Sequence, residues 1–197
     1  MKVTLIRHGE TPGNAMLRYI GRTDEPLSPV GCRQAAGAAP DLLPSKVFVS
    51  SLRRTSETAG LLFPGVPQTT VPGLDEMDFG SFEGQAFTDM ESDPLYRLWV
   101  DGGCEGGCPG GESREDFINR VLNAFEEIIR HEIASGSKEA VFVVHGGTIM
   151  AIMSRCAVPA RDYFAWSVKN CRGYECEAGF SPTGRLFLAD VVKWGVE

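Results

Sequence analysis

Three short runs, residues 3–6, 47–49 and 140–144, are rich in β-branched side chains and continuously apolar instead of alternating. A strand with one wet face alternates apolar and polar residues, so unbroken runs suit strands buried on both faces of a parallel sheet. Helical signals fill the gaps between them. Ser28-Pro29 is a cap followed by a first-turn proline, opening a helix over about 28–43, and a second helix spans 54–62. The longest spans about 112–133, with Phe117, Val121, Leu122, Phe125, Ile128 and Ile129 at helical spacing, and a fourth runs from about 147 to 156. Strand and helix alternate, which predicts an α/β fold: a three-layer α/β/α sandwich around a mostly parallel sheet. At the tail, Ser181-Pro182-Thr183-Gly184 separates runs 174–180 and 185–192, predicting an antiparallel hairpin at the sheet edge.

With 197 residues, 43% of them hydrophobic and 23% charged, the chain reads as a single domain over 1–197. Residues 77–111, glycine-rich and weakly periodic, are the expected insertion over the active site. A net charge of −7 argues against a partner in nucleic acid or an anionic membrane, although a local basic pocket is compatible with it. The N-terminal apolar run is too short for a signal peptide and no segment is apolar for long enough to span a bilayer, so a cytoplasmic location is expected. Cys32, Cys104, Cys108, Cys156, Cys171 and Cys176 are then expected as thiols. Neither Cys104/Cys108 nor Cys171/Cys176 has C-x-x-C spacing, and no metal site is assigned.

Two of the three histidines, His8 and His145, directly follow a predicted buried strand and directly precede glycine. In open α/β sheets ligands bind at the carboxyl ends of strands, so both imidazoles are expected in one crevice. Gly146-Gly147-Thr148 should open a helix there, and the free N–H groups of a helix N-terminus favour an anion. Arg7 precedes His8, and Arg53-Arg54 follow the second strand. Guanidinium groups grip phosphate oxygens with paired hydrogen bonds, which makes this a phosphate site. Neighbouring helical residues face different ways, so only one of Arg53 and Arg54 should point inward.

These residues form an ordered set that resembles the histidine phosphatase superfamily, also called phosphoglycerate mutase-like proteins, almost end to end. Arg7-His8-Gly9-Glu10-Thr11 with Asn14 is similar to its nucleophile signature, and Gly21, Asp24, Leu27 and Gly31 follow in its order. Ser50, Leu52, Arg54, Thr55, Glu57 and Thr58 match its second arginine motif and select Arg54 over Arg53. Leu74-Asp75-Glu76, Phe79-Gly80 and Glu83-Gly84 resemble its acid motif, and Val144-His145-Gly146-Gly147 its second histidine. The resemblance implies His8 as nucleophile, Arg7, Arg54 and a protonated or hydrogen-bonding His145 as stabilisers of the phosphoryl oxygens, and Glu76 as acid and base. It implies Asn14, Arg22 and Gly146 as substrate contacts, structural roles for Glu10 and Glu83, and no cofactor.

The reaction implied is hydrolysis of a small phosphomonoester, with phosphoglycerate mutase-type transfer and non-catalytic phosphoester binding as the alternatives. From 77 to 111 the only basic residue is Arg97, against seven acidic ones, which disfavours a polyanionic mutase substrate. Phe79, Phe82, Phe87, Tyr96 and Trp99 in that stretch either stack on a flat base or pack the segment onto the core. Trp99 ahead of Pro109-Gly110-Gly111-Glu112-Ser113 is similar to α-ribazole phosphatases, which act late in cobalamin nucleotide-loop assembly. The glycine- and cysteine-rich stretch 102–107 departs from that pattern.

Overall fold

The computed structural model describes residues 1–38 and 42–195. The three apolar runs become β1 (Lys2–Arg7), β2 (Val47–Val49) and β4 (Glu139–Val144), all parallel. They sit in a six-stranded sheet of order β3-β2-β4-β1-β5-β6, with β3 at Gln68–Thr70, β5 at Gly173–Phe180 and β6 at Leu186–Trp194. The tail is the expected antiparallel hairpin, closed where Gly184 takes a positive φ of 81° and donates its N–H to Ser181 O. The three-residue β3, exposed and without apolar residues, carries no strand pattern and is defined only by pairing with β2.

Helices cover both faces. Val3, Leu5, Phe48, Phe142 and Val144 point to the layer that holds α5 (Arg114–Ala134) and α6 (Gly146–Cys156). Ile6, Val47, Val49, Val141 and Val143 point to the other, against α3 (Arg53–Leu62), with α2 (Pro29–Gly37) packed beside it. Successive side chains of one strand therefore serve opposite layers, which is why the runs contain no polar face.

Ser28 caps α2, its Oγ accepting from Gly31 N at 3.0 Å, and Ser113 caps α5 in the same way. Helix α2 ends at Gly37 instead of near Leu43. Pro40 lies in the overrun, and a proline inside a helix removes a ladder N–H and crowds the preceding turn; residues 39–41 are outside the described residues. Within 77–111 the structure adds α4 (Pro94–Asp101), capped by Asp93, and two short turns. A four-residue helix, α1 (Pro12–Ala15), follows β1.

Candidate active site

Register brings the two histidines together. Arg7 pairs with Val144 across β1 and β4, so His8 and His145 are the next residues on neighbouring strands, with ring centroids 5.2 Å apart. Val49 of β2 pairs with Val143, so Ser50 lies level with Val144, one residue short of His145, and its Oγ reaches the His145 ring at 2.8 Å. Three adjacent strand ends thus present Ser50, His145 and His8 in a row.

Hydrogen bonding fixes opposite tautomers for the two rings. His8 Nδ1 lies 2.7 Å from Gly9 O, and a carbonyl can only accept, so Nδ1 carries the proton and Nε2 keeps its lone pair. At His145 the Arg54 Nε–H donates to Nδ1 at 3.2 Å, so the ring proton is on Nε2 and is donated to Ser50 Oγ at 2.8 Å. Ser50 continues the chain to Thr55 Oγ1, which donates to Leu52 O. Burial, Arg54 and Arg7 push the His8 pKa well below its ordinary value, and burial, Arg54 and His8 do the same to His145. Both rings are neutral. With its Nδ1 lone pair accepting from Arg54, His145 stands here as a neutral hydrogen-bonding link.

That burial links stability to pH. A histidine whose folded pKa is depressed binds its proton in the unfolded chain first, so stability is full above about pH 6.5 and falls as pH drops below it. Tm of wild type should fall between about pH 6.5 and about pH 5, and a variant with His145→Gln should lose part of that slope. An equal slope in both would show that His145 does not contribute to it.

Glu76 follows a short turn over Pro72–Leu74 and reaches the start of α6, where its Oε2 accepts from Gly147 N at 2.9 Å and its Oε1 from Met77 N at 3.0 Å. A Cβ at Gly147 would sit 2.1 Å from Glu76 Oε1, so the approach requires glycine. Burial raises the Glu76 pKa, opposed by those two N–H groups and by Arg54 and Arg7. Arg7 donates from Nη1 to Val168 O at 2.8 Å, while its buried Nε has no partner. An unpaired buried guanidinium N–H is costly unless a ligand accepts from it.

These groups meet at a cavity of about 290 Å³ lined by Arg7, His8, Asn14, Glu76, Gly146 and Gly147 on its polar side. Asn14 Oδ1 accepts from Thr11 N and from Asn170 Nδ2, which turns the Asn14 amide so that its own Nδ2 remains to donate. Arg54, fully buried, does not line the cavity: it donates to the Thr23 and Gly21 carbonyls and to His145, beneath His8. Arg53 is exposed and paired with Glu57, as the opposite facing of adjacent helical residues requires. Arg22 is not brought to this cavity. Its side chain is 75% exposed, pairs with Asp78, and lines a neighbouring groove that shares Glu76 with the cavity, because Glu83 holds the Gly21, Arg22 and Thr23 backbone and aims the side chain outward. Glu10 accepts from Ser28 Oγ, also a structural contact.

The opposite wall is apolar and aromatic, with Tyr19, Phe79, Trp99, Met150, Tyr163 and Phe164. Of the segment 77–111 only Met77, Phe79, Trp99 and Cys104 reach it, so the acidic residues counted there do not face the cavity. The acidity of that segment bears on the cavity only through Glu105, which pairs with the cavity-lining Arg114. Phe79, Phe82, Tyr96 and Trp99 pack together with Tyr19, while Phe87 is exposed. Sequence reasoning missed Arg114, Tyr163, Phe164, Ser50 and Asn170. Ser50 stands in the second arginine motif but has no role of its own there; the others lie on helix starts and loops with no motif, and of these only the Arg114 position, next to Ser113 at a helix cap, carried any signal. All six cysteines are unpaired thiols. No helix among the described residues is long and apolar enough to cross a membrane.

Residues 3–179 match the profile of the histidine phosphatase superfamily (branch 1). An acid phosphatase of Mycobacterium tuberculosis is 33% identical over 161 residues, 78% of this chain and 74% of the relative. The structure of the α-ribazole phosphatase from Shigella flexneri superposes with a TM-score of 0.79 at 25% identity, covering 95% of this chain and 94% of that one. A phosphoglycerate mutase from Thermus thermophilus superposes with a TM-score of 0.69 at 29% identity, covering 100% of both chains.

Proposed function

The chain belongs to the histidine phosphatase superfamily and is an enzyme of that family, and from this premise we propose that it hydrolyses small phosphomonoesters through a phosphohistidine on His8. The observation that carries the reading is the pairing of a neutral His8, its Nε2 lone pair free, with a buried Arg7 Nε–H that lacks an acceptor in the same cavity. A phosphate between them would satisfy both.

His8 Nε2 attacks phosphorus, the P–N bond forms as the P–O bond to the alcohol breaks, and Glu76 gives its proton to the departing alkoxide. Arg7 Nε, Asn14 Nδ2 and the start of α6 at Gly146 hold the phosphoryl oxygens. Arg54 and His145 act from beneath, supplying positive charge and orientation. In the second half Glu76 takes a proton from water, the oxygen attacks phosphorus, and the electron pair of the P–N bond returns to Nε2 with release of inorganic phosphate. The raised Glu76 pKa favours the protonated acid that the first step needs.

Arg114 favours hydrolysis over mutase-type transfer. It lines the cavity, but its guanidinium is paired with Glu105 at 2.6 Å, donates to Gly103 O and lies over the rings of Tyr163 and Phe164. A cation so neutralised offers little to the second phosphate of a bisphosphorylated primer. The aromatic wall suits an ester whose alcohol carries a flat apolar group, and α-ribazole 5'-phosphate is the first such compound to test.

A panel of phosphomonoesters with excess EDTA tests the reading. Arginine and helix N–H groups supply the positive charge that a metal supplies elsewhere, so turnover should be unaffected by EDTA, and esters of flat apolar alcohols should have the highest kcat/KM. Faster phosphoryl exchange between phosphoglycerates than hydrolysis would establish the mutase reading, and no turnover of any ester would leave a phosphoester-binding protein.

A further inference from the structure

We propose that Arg120, which does not reach the catalytic cavity, is the positioning residue that sets Glu76 for proton transfer; the proposal rests on the reading of Glu76 as the acid. Arg120 lies on α5 behind the segment that carries Glu76. All five of its N–H groups are used. Nε and Nη2 donate to the two carboxylate oxygens of Glu112 at 2.8 and 2.7 Å, and Nη2 also donates to Glu76 O at 3.3 Å. Nη1 donates to Gly73 O at 3.2 Å and Asp75 O at 3.1 Å. Glu112 in turn accepts from Asp78 N at 3.0 Å, and its own N–H donates to Asp78 O at 2.9 Å. The backbone is thus gripped before, at and after Glu76.

The grip matters because residues 75–78 belong to no helix or strand, so no ladder satisfies or orients their carbonyls. A planar fork with five donors can serve three carbonyls and a carboxylate at once, whereas a lysine ammonium offers three donors from one point. The same segment is pressed onto α5 at Gly73, where a Cβ would lie 2.5 Å from that of Ala124. Glu76 is thereby held from two helices, its main chain by α5 through Arg120 and its carboxylate by α6 through Gly147 N. Displacing an acid by about 1 Å can cost about 10²-fold in rate. That loss should fall on esters whose leaving group must be protonated and spare those whose leaving group need not be.

The test compares Arg120→Lys, Glu112→Gln and Glu76→Gln on glycerol 3-phosphate and on p-nitrophenyl phosphate, with folding followed by circular dichroism and Tm. For Arg120→Lys we expect kcat/KM, which reports only the steps up to departure of the alcohol, to fall by about 10- to 100-fold on glycerol 3-phosphate and by less than about threefold on p-nitrophenyl phosphate. Glu112→Gln should show the same bias with a smaller amplitude, and it carries the test if Arg120→Lys does not fold. Equal losses on both esters, or none, would overturn the positioning role. If Glu76→Gln itself shows no leaving-group bias, the acid assignment fails and the proposal with it; if Glu76→Gln shows the bias and Arg120→Lys does not, only the positioning role fails.

Discussion

After brief mixing with labelled phosphomonoester and denaturation, wild-type protein should retain label in an acid-labile, alkali-stable bond, and protein with His8→Ala should retain none. A phosphoramidate has that stability pattern, and the covalent step precedes hydrolysis. Turnover of the variant should fall by about 10⁴ to 10⁶, the scale on which loss of a nucleophile or its base is felt. The effect is this large because the cavity offers no substitute: the nearest imidazole, His145, has its Nδ1 lone pair on Arg54 and its Nε2 proton on Ser50. His145→Ala should slow turnover by about 10², comparable to one lost transition-state hydrogen bond, while label still forms on His8. Label mapping to His145 or to a cysteine, or near-wild-type turnover without His8, would refute the mechanism.

The second large effect is expected for Glu76→Gln, and it depends on the substrate. An alkoxide leaving from glycerol 3-phosphate needs a proton as the bond breaks, so loss of the acid should cost about 10² to 10⁴. Nitrophenolate is stable without one, and its ester should be cleaved at a rate much nearer wild type in the first step. The alkaline limb of the pH profile should also disappear. In wild type it reports ionisation of Glu76, whose pKa burial raises, so activity is full while the carboxyl is protonated and declines as pH rises through that value. An equal loss on both esters would mean that Glu76 holds the start of α6 or activates water, and is not the acid of the first step.

How much was legible in the sequence varies by element in a physically consistent way. Strands β1, β2 and β4 were readable because burial on both faces demands unbroken apolar residues. The five-donor chemistry of arginine, glycine after each histidine and the cap at Ser28 are likewise local requirements written residue by residue. Strand β3 was not readable, since Gln68, Thr69 and Thr70 become a strand only through β2 beside them. Which way the acidic residues of 77–111 face was unreadable for a related reason. Composition records how many carboxylates a segment has and not which way they face, and here the cavity receives Phe79 and Trp99 instead.

By itself the sequence determined the α/β class, the position of His8 and His145 at strand ends, and the choice of Arg54 over Arg53, since each follows from periodicity, adjacency or motif. Only tertiary structure decided the chemistry of each group. His8 has a free Nε2 lone pair because Gly9 O accepts from its Nδ1–H, His145 is a neutral link because Arg54 and Ser50 bracket it, and Arg22 is outside because Glu83 holds its backbone. Protonation state and direction depend on what surrounds a side chain in space, and those neighbours come from residues up to 162 positions away, as Asn170 does in holding His8 O.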